Sequence, residues 1–162
     1  MRSRLGIALS LAVLATAGGL LMMTAASGQT VLHMVVEVSM NSRVAVDDID
    51  QDGRLRLGDR IAARGALMDE SRTDRLGTSY IHCVVHKRIV DPDQGLWNCN
   101  YVLELSEGDI VLQGLDPRGS GEYEMAVLGG TGTYAGASGS AMFTDVSSDT
   151  GGYTDIVINL EG

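Results

Sequence analysis

The chain has 162 residues and a formal net charge of −9, with two cysteines, one tryptophan and 21 glycines. This length suffices for a single domain with a hydrophobic core. Because an acidic protein repels the phosphates of nucleic acids and anionic membrane surfaces, we do not expect nucleic acid among its partners.

The first 26 residues have the pattern of an export signal. Arg2 and Arg4 form a basic start, residues 5–23 are apolar, and small residues at 24–26 predict a cleavage site. The apolar run is about as long as a membrane span, so an uncleaved N-terminal membrane anchor is the alternative. We expect residues 27–162 to form one domain, either secreted or tethered outside the membrane.

Eight segments of that domain have the length and apolar alternation of β-strands, and no segment has helical periodicity. Turn-forming residues separate the segments. The predicted strands cover residues 31–40, 61–69, 77–86, 96–105, 109–115, 122–128, 137–146 and 153–160. The spacing predicts an all-β sandwich or barrel.

Two cysteines remain after the predicted signal, and in an exported chain they are expected to form a disulfide. If Cys83 and Cys99 face each other, Ile81 pairs with Tyr101, and the pairing places the apolar side chains of both strands on one face. The closed loop is short, so the bond should contribute about 2–3 kcal/mol at most.

A hairpin is predicted next, with Glu107 and Gly108 as its two-residue turn. That turn would pair Leu103 with Leu112, on the same apolar face. His82 and His86 fall on the opposite, polar face. At strand spacing they are too far apart to share one zinc ion, so we interpret them as solvated or interface side chains.

A glycine-rich stretch, MAVLGGTGTYAGASG, occupies residues 125–139. It resembles the signature of the allene oxide cyclase/dirigent barrel family, closest to its secreted actinobacterial branch. The resemblance covers roughly Gly58 to Gly162. The matching residues are Val127, Gly129, Gly130, Thr131, Gly132, Tyr134, Gly136, Ala137 and Gly139. The resemblance implies a closed, mostly antiparallel eight-stranded β-barrel.

Glycine-rich turns after an apolar strand also begin dinucleotide-binding folds. Here Ala135 replaces the third glycine of that motif, no helical periodicity follows, and only 26 residues remain after Gly136. The nucleotide-binding interpretation is therefore rejected.

The family resemblance implies a cofactor-independent cyclase or stereocontrol protein acting on an apolar small molecule, such as a polyketide polyene, inside the barrel. The alternative is a secreted non-catalytic barrel that binds an apolar ligand or a protein partner. The resemblance also implies a homo-oligomer, a dimer or trimer.

The site residues are predicted from two kinds of evidence: the family resemblance and the alternation that directs side chains into the barrel. Tyr101 and Asp69 are the predicted catalytic residues. The predicted substrate-binding residues are Trp97, Ser79, Tyr134, Leu103 and Leu112.

An acidic segment matches the first positions of a calcium-binding loop. Asp48, Asp50, Asp52 and Asp59 are its candidate ligands, for a structural calcium ion. The standard loop has Glu where Asp59 stands and is flanked by helices, whereas strands are predicted here. The alternative is a solvated linker in which Asp59 simply opens the next strand.

Overall fold

The computed structural model describes residues 23–24, 29–37, 45–47, 56–88, 95–117, 121–146 and 152–161. Most of the predicted signal segment lies outside these ranges, as do Asp48, Asp50 and Asp52. Among the described residues, no helix is both long and apolar enough to cross a membrane.

The regular structure of these ranges is almost entirely β. The strands are β1 Met23–Thr24, β2 Thr30–Glu37, β3 Ala45–Asp47, β4 Arg60–Met68, β5 Arg75–Arg88, β6 Gly95–Leu105, β7 Gly108–Pro117, β8 Glu122–Gly130, β9 Ser138–Val146 and β10 Tyr153–Glu161. A short 3-10 helix, Gly132–Tyr134, separates β8 from β9. All eight predicted strands are present, with ends shifted by a few residues.

Eight of the strands close into a barrel, in the order β2-β10-β9-β8-β7-β6-β5-β4, and every pairing is antiparallel. Pairing of β2 with β4, from Val35 with Met68 to Glu37 with Ala66, closes the ring. The short strands β1 and β3 pair with β2 and β4 outside this ring. The predicted eight-stranded antiparallel barrel is confirmed.

Alternation along the strands fills the barrel with apolar side chains, because successive residues point to opposite faces. In β6, for example, Trp97, Cys99, Tyr101 and Leu103 are buried, whereas Glu104 is exposed. The predicted apolar face is confirmed, and His82 and His86 are exposed on the outer face.

The predicted disulfide is present between Cys83 and Cys99, with Cα atoms 4.1 Å apart. These residues are direct partners across β5 and β6, and Ile81 faces Tyr101 as expected. Both cysteines are buried, so the bond links adjacent strands from inside the barrel.

The predicted turn between β6 and β7 was wrong by one position. The turn residues are Ser106 and Glu107, so Leu103 pairs with Ile110 and not with Leu112. Gly108 belongs to β7, where its φ is +140° and a Cβ atom would meet the carbonyl oxygen of Thr131. The glycine is required by this close approach. Because the pairing shifts by two residues, each side chain keeps its predicted face.

The glycine-rich stretch closes the barrel at the end that holds the β6–β7 turn. The backbone N–H groups of Thr131 and Thr133 donate to the carbonyls of Asp109 and Glu107, each at 2.9 Å. The 3-10 helix then places Tyr134, only 3% exposed, against the core. This end of the barrel is therefore filled with side chains.

Candidate functional site

The opposite end of the barrel contains a cavity of about 480 Å3. Its lining residues come from the ends of β2, β5, β7 and β9 and the starts of β4, β6, β8 and β10, which meet at this end. The volume lies in the range of small-molecule sites, which are typically mostly apolar with a few placed polar groups. The cavity is the candidate functional site.

Aromatic rings form the floor and one wall of the cavity. The lining residues Tyr101 and Tyr123 both pack on the fully buried Phe143, with ring centroids 5.0 and 5.1 Å from its own. The contacts with Phe143 hold both rings in place.

A buried carboxylate lies beside the single tryptophan. Asp116 is 2% exposed and faces Trp97 directly across β6 and β7. Both residues line the cavity. Asp116 lies on the inner face of β7, as do Ile110 and Leu112 earlier in that strand. Direct cross-strand neighbours have Cβ atoms roughly 5 Å apart, so the indole and the carboxylate adjoin the same part of the cavity.

The environment of Tyr123 keeps its hydroxyl protonated. Burial raises the pKa of this phenol far above its usual value, and the nearby Tyr101, Asp116 and Asp145 raise it further. Tyr123 is therefore neutral at physiological pH and can donate a hydrogen bond, but it cannot serve as a base.

The rim of the cavity is held by polar contacts. The Thr154 hydroxyl donates to Asp145 Oδ1 at 2.8 Å, and both residues line the cavity. The guanidinium of Arg72 lies 4.4 Å from the ring centroid of Tyr153, another lining residue, and binds Glu37 at 2.6 Å. The β4–β5 turn is thus fastened to the rim.

The structure brings the predicted substrate-binding residue Trp97 and the predicted catalytic residue Tyr101 together. Trp97 and Tyr101 line the cavity, as predicted from the inward face of β6. Leu103 and Leu112 are fully buried further inside the barrel and are not among the lining residues. Ser79 is also fully buried and pairs with Leu103, away from the cavity lining.

Asp69, the other predicted catalytic residue, lies away from the cavity. Asp69 follows the end of β4, whereas the β4 residues that line the cavity, Ile61 and Ala63, lie near its start. A hydrogen bond from the Ser71 hydroxyl, together with backbone N–H donors of the same turn, lowers the pKa of Asp69. Asp69 therefore organises the β4–β5 turn, and the structure does not bring it to the cavity.

Tyr134 lies at the filled end of the barrel, away from the cavity. Burial raises the pKa of its hydroxyl, which has no hydrogen-bond partner within the described part of the chain. Its position fits a packing role at that end.

Five polar lining residues were missed by the sequence prediction: Asp116, Tyr123, Asp145, Tyr153 and Thr154. The predicted β7 ended at residue 115, one position before Asp116. Tyr123 and Asp145 fell inside predicted strands whose faces were not assigned. Continued alternation from Ile110 and from Phe143 would have placed the two aspartates on the inner face.

Of the four predicted calcium ligands, Asp59 alone lies within the described residues. Asp59 is buried, accepts the backbone N–H of Arg56 at 2.5 Å, and receives the Val85 N–H on its carbonyl at 2.9 Å. These contacts agree with the alternative, in which Asp59 opens β4. Within the described ranges, no cluster of three or more His, Cys, Asp or Glu side chains could hold a metal ion.

The chain is a closed, eight-stranded antiparallel barrel with an aromatic-lined cavity at one end. The sequence model of the allene oxide cyclase barrel like domain family matches residues 36–158, and the chain belongs to this family. No curated protein matches the sequence.

Several solved structures share the fold. A pyocyanin demethylase superposes with a TM-score of 0.64 at 23% identity, covering 81% of this chain and 99% of that protein. A pterocarpan synthase dirigent protein gives 0.64 at 18% identity, covering 82% and 86%. An exo-specific intermolecular Diels-Alderase gives 0.58 at 19% identity, covering 83% and 98%. At these identities the similarity establishes the fold alone.

Proposed function

We propose that this protein is a cofactor-independent cyclase or stereocontrol protein that binds a conjugated, largely apolar small molecule in the barrel cavity. The observation that carries the proposal is the cavity itself, with its fixed aromatic walls and a buried carboxylate beside Trp97. Fold neighbours that include a Diels-Alderase and a dirigent protein support a reaction of this class.

The rigid walls supply the main contribution to catalysis. Holding a flexible substrate in one near-attack conformer removes the entropy cost of ring closure, and contributions of roughly 7–11 kcal/mol are attainable for well-oriented intramolecular reactions. Tyr101 and Tyr123 are fixed against Phe143, so a conjugated chain lying on them would be confined to few conformations. Ring closure is an isomerisation, so no atom is gained or lost.

The polar groups would orient the substrate and polarise it. Tyr123 keeps its proton, so the hydroxyls of Tyr123 and Tyr101 can donate to an oxygen that gains negative charge as the ring forms. The Asp116 carboxylate can accept a hydrogen bond from the substrate or hold positive charge that develops during the reaction. The reaction class is therefore ring closure assisted by hydrogen bonding, or stereocontrol of the combination of two radicals that a separate oxidant has already formed, in which one bond forms and no atom is lost.

Two neighbouring alanines provide a direct test of the cavity. Ala63 lines it, whereas Ala62 is exposed on the outer face of the same strand. With a linear triene tethered to an enone as the substrate, we expect the wild-type protein to yield one stereoisomer of the cycloadduct. Ala63→Phe should abolish this stereoselective conversion by filling the cavity, and Ala62→Phe should leave it unchanged.

The role of the tyrosine pair is tested with the same assay. Tyr101→Phe keeps the ring on Phe143 and removes the hydroxyl, so turnover should fall by about 100- to 1,000-fold if the hydroxyl donates to the transition state. Tyr80→Phe, on the outer face, is the matched control. Binding of conjugated ligands without any conversion would overturn the cyclase proposal in favour of a non-catalytic ligand-binding barrel.

Export and assembly are further parts of this proposal. The disulfide between Cys83 and Cys99 supports folding in an oxidising compartment, as for a secreted protein or one tethered outside the membrane. Homo-oligomerisation as a dimer or trimer and a structural calcium ion in the acidic segment also stay proposals. Analytical ultracentrifugation with and without a calcium chelator would test both.

A further inference from the structure

We infer that the disulfide between Cys83 and Cys99 is a redox site of the cavity. Small thiols open it by attacking the sulfur of Cys83 from the cavity, and a molecule bound in the cavity protects it. The reduced protein, in turn, binds that molecule less tightly. The inference rests on the proposed function, because it treats the cavity as the ligand site, and it adds a reaction at the wall of that site.

The disulfide lies in the wall of the cavity. Cys83 and Cys99 are direct partners across β5 and β6, and Ile81 and Tyr101 form the next inward-facing pair. On the other side, Trp97 lies two residues before Cys99 on the buried face of β6. All of these residues except Cys99 line the cavity. The disulfide is therefore part of the wall between two aromatic side chains.

Access determines which sulfur a thiol can attack. Cys99 is fully buried, whereas Cys83 is 4% exposed. Its neighbours His82 and Val84 point to the outer face, so the exposed part of Cys83 adjoins the cavity. Because thiol–disulfide exchange requires direct attack of a thiolate on a sulfur atom, Cys83 is the point of attack and the cavity is the route to it.

Reduction by a dithiol such as dithiothreitol proceeds in two exchange steps. In the first, a thiolate of the reagent forms a bond to the Cys83 sulfur, the disulfide bond breaks, and Cys99 leaves as a thiolate that takes up a proton. In the second, the other thiol of the reagent displaces Cys83. The protein gains two electrons and two protons, and the reagent is oxidised to its cyclic disulfide.

Reduction also changes the shape of the wall. Two sulfur atoms that are no longer bonded require a wider separation, and the fully buried Cys99 is packed on every side. The Cys83 thiol borders the cavity, so it is the one that moves, into the space beside Trp97 and Tyr101. A ligand that fills this space favours the oxidised protein. Linkage then requires that reduction weakens ligand binding by the same factor.

The route of attack is tested without any ligand. Ala63 lines the cavity and pairs with Ile81, the inward-facing neighbour of Cys83. Ala63→Phe should therefore slow the reduction of the folded protein by dithiothreitol several-fold. Ala62→Phe, on the exposed outer face of the same strand, should leave the rate unchanged. Trapping samples with iodoacetamide and counting the labelled cysteines by mass spectrometry gives the rates.

Urea separates this route from the reduction of unfolded molecules. The rate through unfolding follows the unfolding equilibrium and rises steeply with urea, whereas the rate through the cavity of the folded protein does not. A rate that follows the unfolding equilibrium down to zero urea would show that thiols do not reach the disulfide in the folded protein. That result, or equal rates for the two alanine variants without urea, would overturn the inference.

The coupling to a ligand is tested with naphthylmethanol, a neutral aromatic probe. In mixtures of reduced and oxidised dithiothreitol, saturating probe should raise the ratio needed for half-reduction roughly fivefold or more. Calorimetry should give the reduced, folded protein a dissociation constant raised by the same factor. Ala63→Phe, whose cavity is filled, should show no effect of the probe.

The outcomes separate this inference from the proposed function. If naphthylmethanol binds and the ratio for half-reduction does not change, the inference is overturned and the cavity stands as a ligand site. If neither naphthylmethanol nor a linear polyene alcohol gives a heat of binding, the proposed function loses its site and the coupling falls with it. The comparison of Ala63→Phe with Ala62→Phe then still decides the route of attack.

Discussion

Tyr123 and Phe143 lie face to face inside the barrel, with ring centroids 5.1 Å apart and an interplanar angle of 15°. They are direct partners across β8 and β9. Tyr101 packs on the same phenylalanine from β6, at an angle of 57°. Phe143 is thus the support on which the two cavity tyrosines rest, and it couples the stability of the core to the shape of the site.

Phe143→Ala should destabilise the protein by about 3–5 kcal/mol, because a fully buried ring is lost and a cavity is left behind. Urea denaturation measures the effect. Met142→Ala, on the exposed outer face of the same strand, should change the free energy of unfolding by no more than about 0.5 kcal/mol. Similar values for the two variants would contradict the role assigned to Phe143.

The protonation of Tyr123 gives a pH-dependent prediction. Its pKa in the folded protein is raised by burial above the value of about 10 that it has in the unfolded chain. The stability that it contributes is therefore complete below about pH 10 and is lost as the pH rises above that value. Tyr123→Phe should shift alkaline unfolding, followed by circular dichroism, to higher pH. Reversible ionisation of Tyr123 near pH 10 in the folded protein, seen by tyrosinate absorbance, would show the prediction to be wrong.

Two glycines with positive φ should differ in their tolerance of a side chain. At Gly136, with φ +78°, no atom lies within 4 Å of an added Cβ, so Gly136→Ala should cost about 1 kcal/mol of backbone strain. At Gly108 an added Cβ would also meet the Thr131 carbonyl, so Gly108→Ala should cost more than about 3 kcal/mol. Thermal denaturation compares them, and equal losses would refute the close approach at Gly108.

The disulfide should stabilise the barrel by restricting the unfolded chain. Cys83 and Cys99 are 16 residues apart, so the double variant Cys83→Ala/Cys99→Ala should lose about 2–3 kcal/mol of unfolding free energy. Chemical denaturation with and without a reductant provides the measurement. The reductant should destabilise the wild-type protein and have no effect on the double variant; an effect on both would point to a cause other than this bond.

The architecture could be predicted from the sequence because, in a barrel, the residue alternation that indicates a strand also determines which side chains are buried. Strict alternation along β6 fixed the inward face, and the disulfide partners fixed the register between β5 and β6. Turn chemistry was less reliable. Gly108 was assigned to the turn, but the Thr131 backbone that requires a glycine there lies 23 residues further along the chain.

The site was predicted only in part, because a barrel cavity is assembled from strand ends that are distant in sequence. Trp97 and Tyr101 could be found from alternation within one strand. Asp116 was missed because the predicted β7 ended one residue too early. Continued alternation along β4 would point Asp69 into the barrel, but the strand ends at Met68. The Asp69 carboxylate instead accepts hydrogen bonds from backbone N–H groups of the β4–β5 turn. For these two aspartates the prediction failed at the end of a strand. There, the alternation of side chains and the hydrogen bonds of the adjacent turn can favour different positions for the same residue.

The central claim, that the barrel cavity holds a small molecule, is tested most directly by native mass spectrometry of protein purified gently from its native host. The account predicts a stoichiometric small-molecule adduct on the wild-type protein and on Ala62→Phe, and its loss from Ala63→Phe. An adduct that persists in Ala63→Phe would place the ligand outside the cavity. Bare protein masses throughout, with no binding of added conjugated ligands, would contradict the account.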